Sequence, residues 1–416
     1  MANAQSTLSA DADAPTGVAW GLLAVVSAIF FVSTGGAFSS LGVLLPAMIA
    51  DLGWSWTQAG AGFTVLALTT GLSSTLPAWT LGRGDMRLVY LSGGVVIALG
   101  FALMATAGGL AAYIAGAGLV GVGYSQVGAV PAVKLLSGWF GSRRSFAIGV
   151  FFTSGALGSV AAPLAASTFL AALDSWRLYW TAVATLIGAL CLAAALLVRE
   201  RAEPADDGDN PYGSQTPPAR VDWTLREAMT TPQFFIIVFG LTVTLLGTVT
   251  MNAWQVTHMK SLGVSAQVAA GALSAHALSN AFSRIVGGAI IDRIGAKWVF
   301  ASGLAAGVVG MAALAVADTP LLIAIFAFGD GYSFGIVTFS TSILLLNYFG
   351  AKHNPAILGT LNLISTVAMI GPIAAGGVAD GALGFAPSFF AIAAILAVGF
   401  VAAVMMRAPA RKEAPR

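Results

Sequence analysis

Residues 269–297 read AAGALSAHALSNAFSRIVGGAIIDRIGAK, and most of that stretch, up to Ile291, decides the fold. From Ala269 to Ile291 it is small and apolar, with one charged side chain, Arg284. About 20 such residues, rising ~1.5 Å each in a helix, cross the roughly 30 Å hydrocarbon core of a bilayer. A guanidinium at that depth costs at least ~2.5–3.5 kcal/mol even on the lenient insertion scale, and it does not shed its proton. It persists where it faces a wet cavity or an anion. The stretch therefore predicts a membrane helix that keeps one positive charge for a negative partner.

The rest of the chain agrees with a membrane setting. Of 416 residues, 57% are hydrophobic and 9% charged, with a mean hydropathy of +0.87. A soluble domain carries about 25% charged residues, so this chain cannot cover a water-facing surface. Its apolar runs predict an all-α membrane protein of twelve transmembrane helices: 17–48, 56–81, 88–108, 111–138, 145–171, 177–198, 233–259, 265–291, 297–317, 320–346, 355–380 and 386–407. The first 16 residues are polar and lack the basic start of a cleavable signal peptide, so the first span is expected to remain as helix 1. The single cysteine, Cys191, lies in an apolar run and leaves no intramolecular disulfide. A net charge of +2 gives no reason to expect nucleic acid as a partner.

A charged, proline-rich break separates the sixth span from the seventh. It sets the expected domains at 1–198, an N-terminal six-helix bundle, 199–232, a cytoplasmic linker, and 233–416, a C-terminal six-helix bundle with a short tail. Within the linker, Trp223–Met229 reads either as a short helix on the membrane surface or as an ordinary turn. With both termini in the cytoplasm, only Arg177 and Lys260 among the 19 Lys and Arg residues face outward, and Arg284 lies in the membrane. The positive-inside rule selects that orientation. Fifty glycines read mainly as close-packing sites, Gly116, Gly118, Gly121 and Gly123 in helix 4 and Gly149, Gly155 and Gly158 in helix 5 among them.

Few side chains in the spans carry chemistry. The planar fork of Arg284 binds a carboxylate bidentately in a low-dielectric cavity, or else locks to Asp330 as a buried ion pair. Asp330, deep in helix 10, must be paired or protonated. It reads as a proton carrier or as a packing hydrogen bond that keeps its proton. His276, Asn280 and Arg284 fall at intervals of four on roughly one helix face, which makes His276 a cavity-lining candidate able to titrate. His258 reads as a solvated helix end. Asn252, Asn280, Tyr124 and Tyr332 are candidates to hydrogen-bond a substrate, with interhelical hydrogen bonds as the competing role. No metal-ligand cluster, nucleophile–base set or phosphate-binding loop stands out, so neither a cofactor nor enzyme chemistry nor ATP is expected.

Where helix 8 leaves the membrane, Gly288, Asp292, Arg293, Gly295 and Lys297 give the spacing G-x-x-x-D-R-x-G-x-K. This resembles the loop signature of the major facilitator superfamily. Trp139-Phe140-Gly141-Ser142-Arg143-Arg144 through Ala147 and Gly149 resembles an element of the monocarboxylate transporter family. Gly35-Gly36-Ala37-Phe38 with Leu52-Gly53-Trp54-Ser55 is similar to the first helix of that family and of the bacterial oxalate/formate antiporters. So are Arg226-Glu227-Ala228 with Thr231-Pro232-Gln233-Phe234, and Tyr348-Phe349-Gly350 with Gly359.

The resemblance implies alternating access between two six-helix bundles, with Arg284 in the place of the family's carboxylate-binding arginine. It implies gate roles at the cytoplasmic face for Arg143, Arg144, Asp292, Arg293 and Lys297. The animal members have an aspartate where this chain has Asn280, and a helix 1 lysine whose nearest counterpart is Ser39. The oxalate/formate antiporters have a helix 11 lysine, and helix 11 here has no cation. The expectation is a secondary transporter of the cell (inner) membrane that moves a small monocarboxylate, of the lactate, pyruvate or small aromatic type, with a proton and as a monomer. Oxalate-type exchange is the alternative, and a non-transporting sensor a distant one.

Overall fold

The computed structural model describes residues 17–74, 76–81, 85–140, 143–198, 222–350 and 353–409, and among them every regular element is helical. Among the described residues ten helices, some continuing through a turn, are long and apolar enough to cross a membrane. The other two expected spans fall short for different reasons. The span at 56–81 is interrupted at Ser73 and Ser74 into α3 (Trp56–Leu72) and α4 (Leu76–Leu81), the second carrying Pro77 near its start. The span holding Arg284, α12 (Ala266–Ile294), has 29 residues and ample length, but its serines, His276, Asn280 and Arg284 dilute its hydropathy.

The chain divides into two compact units, Met1–Trp54 with Ala61–Ser214, and Ser55–Gly60 with Gln215–Arg416. The first unit opens with α1 (Gly17–Thr34), which passes through a π turn at Gly35–Ser39 into α2 (Leu41–Leu52). It continues with α5 (Met86–Ala105), α6 (Leu110–Val127), α7 (Ala129–Phe140), α8 (Arg144–Leu173) and α9 (Trp176–Leu197). The break between α6 and α7 falls at Gly128, where Pro131 has no N–H to continue the ladder. Glycine lets these helices touch. A side chain at Gly116 would meet the Gly100 carbonyl, and one at Gly158 would meet the Phe31 carbonyl. Gly149 has open space instead and is not a packing site. At the end of α2, Arg177 pairs with Asp51, which also accepts from Trp176 Nε1 at 3.2 Å. The Arg177 guanidinium holds the Asp51 carboxyl below its usual range.

In the second unit, Thr224 and Glu227 cap each other's backbone around the single turn α10 (Leu225–Ala228), which gives the expected Trp223–Met229 segment a short helical core. Then follow α11 (Pro232–Ser261), α12, α13 (Ala296–Ala315), α14 (Pro320–Phe349), α15 (Asn354–Ser365), α16 (Gly371–Val378) and α17 (Ala386–Met405). Between α15 and α16 the backbone tightens into a 3-10 turn at Thr366–Ile370, and a π turn at Ala379–Leu383 follows α16. That π turn places Asp380 over the start of α3. Its carboxylate accepts from Trp56 N at 2.9 Å, from Thr57 N at 3.1 Å and from the Thr57 hydroxyl. Phe385 lies between Trp56 and Trp254 in the same patch, with ring centroids 5.5 and 4.9 Å away.

Candidate functional site

The chemistry of the second unit lies where α12 meets α14. Two glycines on α14 bring the helices together. A methyl group on Gly331 would collide with the His276 carbonyl, and one on Gly335 with the Asn280 carbonyl and the Ser283 hydroxyl. At this close approach Asp330, 2% exposed, faces His276, 4% exposed, with Nε2 to Oδ2 at 3.0 Å. Phe326, one turn earlier on α14, lies nearly parallel to the imidazole at 6.2 Å. Gly310 of α13 gives Asp330 its room, since any side chain there would strike the Asp330 backbone and Cβ.

The pair is close but poorly aligned. His276 Nε2 and Asp330 Oδ2 have no hydrogen-bond partner of good geometry, and neither have the buried Asn280 Oδ1 and Ser333 Oγ beside them in sequence. Each unsatisfied buried polar group costs about 1–3 kcal/mol. These four atoms, from His276 and Asn280 on α12 and Asp330 and Ser333 on α14, form a polar cluster inside an apolar bundle.

Arg284 lies two turns beyond His276 on α12. It is exposed, and among the described residues it forms no hydrogen bond or ion pair. The alternative role, a lock between Arg284 and Asp330, has no ion pair behind it among the described residues, and Asp330 faces His276 instead. His276, the cavity-lining candidate, is buried against Asp330. His258, expected to be solvated, is 2% exposed and shares a 3.1 Å contact with the Ala315 carbonyl. The polarity of the sequence near the end of span 7 hid a satisfied core histidine.

The remaining candidates are spread out. Tyr332 bonds Ser302 of α13 at 2.9 Å, and Asn252 donates to the Thr248 carbonyl of its own helix at 2.8 Å. In the first unit Ser39 is buried in the π turn of helix 1, and the Tyr124 hydroxyl lies 3.3 Å from Thr34 Oγ1. Tyr124 also meets Phe38 edge-on at 5.2 Å and Phe30 at 6.3 Å. Thr34, just before the π turn, and Phe38, within it, are contacts of Tyr124 that the sequence did not single out. Of the expected gate residues, Arg143 and Arg293 are exposed, and Lys297 places its ammonium 4.8 Å from the Trp298 ring. The side chains of Arg144 and Asp292 lie outside the described residues. Among the described residues no group of three or more acidic, His or Cys side chains is placed to hold a metal.

The sequence pattern described as Major Facilitator Superfamily matches residues 25–257 and 242–416. Monocarboxylate transporter 11 of Homo sapiens is 27% identical over 95% of this chain and 84% of its own length. The Escherichia coli (strain K12) protein YhjX, an uncharacterized transporter of the superfamily type, is 26% identical over 76% of this chain and 78% of its own. Among solved structures, the nucleoside transporter NupG superposes with a TM-score of 0.74 over 94% of this chain and 100% of that one at 17% identity, a likeness of fold alone.

Proposed function

From the premise that the chain belongs to the major facilitator superfamily, and is a membrane transporter of that superfamily, we propose that it carries a small organic monocarboxylate, with one proton, by alternating access. One observation carries the reading. Arg284 lies mid-helix in a membrane protein, is exposed, and has no protein anion to neutralise it among the described residues. A guanidinium left open in this way suits a substrate carboxylate, which its planar fork binds through two parallel hydrogen bonds. The resemblance to Monocarboxylate transporter 11 supports the same substrate class.

Within this reading, Asn280 and Tyr124 contribute hydrogen bonds to the substrate, and Ser39 lines its path. Asn252 and Tyr332 join them by exchanging Thr248 O and Ser302 for the substrate. Arg143, Arg144, Asp292, Arg293 and Lys297 act at the cytoplasmic gate. The carrier works as a monomer in the cell membrane, with both termini in the cytoplasm. One proton moving with one monoanion leaves no net charge to work against the membrane potential, which favours symport. Uptake of labelled lactate, pyruvate, benzoate and oxalate into proteoliposomes, with and without an imposed pH gradient, tests the proposal. Gradient-driven uptake of a monoanion is expected, and oxalate exchange indifferent to the gradient would replace it.

A further inference from the structure

We infer that His276 and Asp330 form one proton-binding site, a dyad that takes up a single proton as a unit and is coupled to Arg284 through charge alone. Its function as the driving site rests on the symport reading above, whereas its existence does not. The geometry joins the two groups: Nε2 and Oδ2 are 3.0 Å apart, and both side chains are closed off from solvent. At that distance a proton placed on either atom lies within reach of the other, so the pair can hold it jointly. With neutral imidazole and carboxylate the dyad carries one negative charge. One proton arriving from the aqueous phase makes it neutral, as imidazolium with carboxylate or as imidazole with carboxylic acid.

The helices packed around the dyad supply no rival partner. His258 and Lys260 lie on α11, Arg284 and Arg293 on α12, Lys297 on α13, and Tyr332 and Tyr348 on α14. Asp292 belongs to α12, but its side chain lies outside the described residues. His258 is held by Ala315 and Tyr332 by Ser302. Among the described residues none of these forms an ion pair with His276 or Asp330. The unsatisfied Asn280 Oδ1 and Ser333 Oγ give the pair adjustable polar neighbours rather than a fixed charge.

Coupling then follows from spacing. Eight residues of helix separate His276 from Arg284, about 12 Å of rise. At that separation, with an effective dielectric near 20, two unit charges attract by an amount worth roughly tenfold in a binding constant. A carboxylate on Arg284 and a proton on the dyad therefore favour one another, each strengthening the other's binding by the same factor.

Two measurements test the dyad. Infrared difference spectra of the purified, substrate-free protein, with isotope-labelled histidine, follow both groups as pH is varied. One concerted step involving imidazole and carboxyl bands is expected, lost in both His276→Gln and Asp330→Asn. Bands that do not move with pH, or that move independently, overturn the dyad. In proteoliposomes, each single variant should lose accumulation driven by a pH gradient and keep counterflow of labelled lactate or benzoate. The exchanged pair His276→Asp with Asp330→His should regain accumulation, which a purely structural role does not predict. Undiminished gradient-driven uptake in both single variants also overturns the proposal. If the single variants do not insert, the wild-type spectrum and the exchanged pair decide. If the wild type transports none of the labelled acids, the substrate reading fails while the spectra still decide the dyad.

Discussion

At the scale of single residues, Arg284 and His276 show how one helix separates two duties. One is left open and the other enclosed, although they share α12 and lie two turns apart. Arg284→Lys keeps the charge and discards the fork. Losing a charge-assisted contact is worth about 1.5–3 kcal/mol, so binding of a labelled monocarboxylate should weaken roughly tenfold to a hundredfold. Insertion and thermal stability should hold. Scintillation binding to the purified variant checks this, and near-normal affinity would make Arg284 structural. The charge of Arg284 was legible in the sequence because an arginine in an apolar run needs a reason. The engagement of Asp330 was not, because helical periodicity orders residues along one helix and does not say which neighbouring helix brings its partner.

At the scale of elements, contact between α12 and α14 depends on two missing side chains. Gly335→Ala places a methyl group against the Asn280 carbonyl and the Ser283 hydroxyl, so the helices must part. Such overpacking costs about 1–3 kcal/mol, and a lowered melting temperature is the expected readout. At the end of α2 the Asp51–Arg177 pair gives a pH dependence with a definite sign. The folded-state pKa of Asp51 is depressed, so its contribution to stability is present above the ordinary carboxylate value and is lost as pH falls through the folded one. Melting curves of wild type and Asp51→Asn should therefore converge in acid and separate towards neutrality, with salt narrowing the gap because the pair is exposed.

The helical character of the expected spans was readable from their length and apolarity. Their interruptions were not. Pro77 and Pro131 lie inside the expected continuous spans 56–81 and 111–138, whose apolarity masked both breaks, and the π turn at Gly35–Ser39 and the 3-10 turn at Thr366–Ile370 come from packing that one sequence does not display. Ser365 illustrates the cost of that blindness. Nothing in the sequence sets it apart from the other small residues of helix 11, yet it is fully buried and accepts a 2.9 Å hydrogen bond from Thr242.

For the whole molecule the question is charge selectivity. Arg284 is the one cation that the spans supply at mid-depth by sequence, and helix 11 adds none. A second, uncompensated carboxylate brought beside it costs several kcal/mol, more than an added hydrogen bond of about 0.5–1.5 kcal/mol returns. Lactate, pyruvate or benzoate should bind at least about tenfold tighter than oxalate near neutral pH. Asn362→Lys, at an exposed position of α15, should narrow that gap without disturbing the Thr242–Ser365 bond. Competition binding with the two acid classes measures both effects, and equal affinities in the unmodified protein would promote the exchanger.

The Asp380 carboxylate has a kinetic meaning as well as a structural one. It holds the Trp56 and Thr57 amides, and an amide so held trades its hydrogen for deuterium only when the bond opens. These two positions therefore serve as a clock built into the first turn of α3. Mass spectrometry of peptides spanning 54–60 should show slow exchange in wild type and faster exchange in Asp380→Ala. A rate that changes when a monocarboxylate is added would time the working cycle of the transporter without any label attached to it.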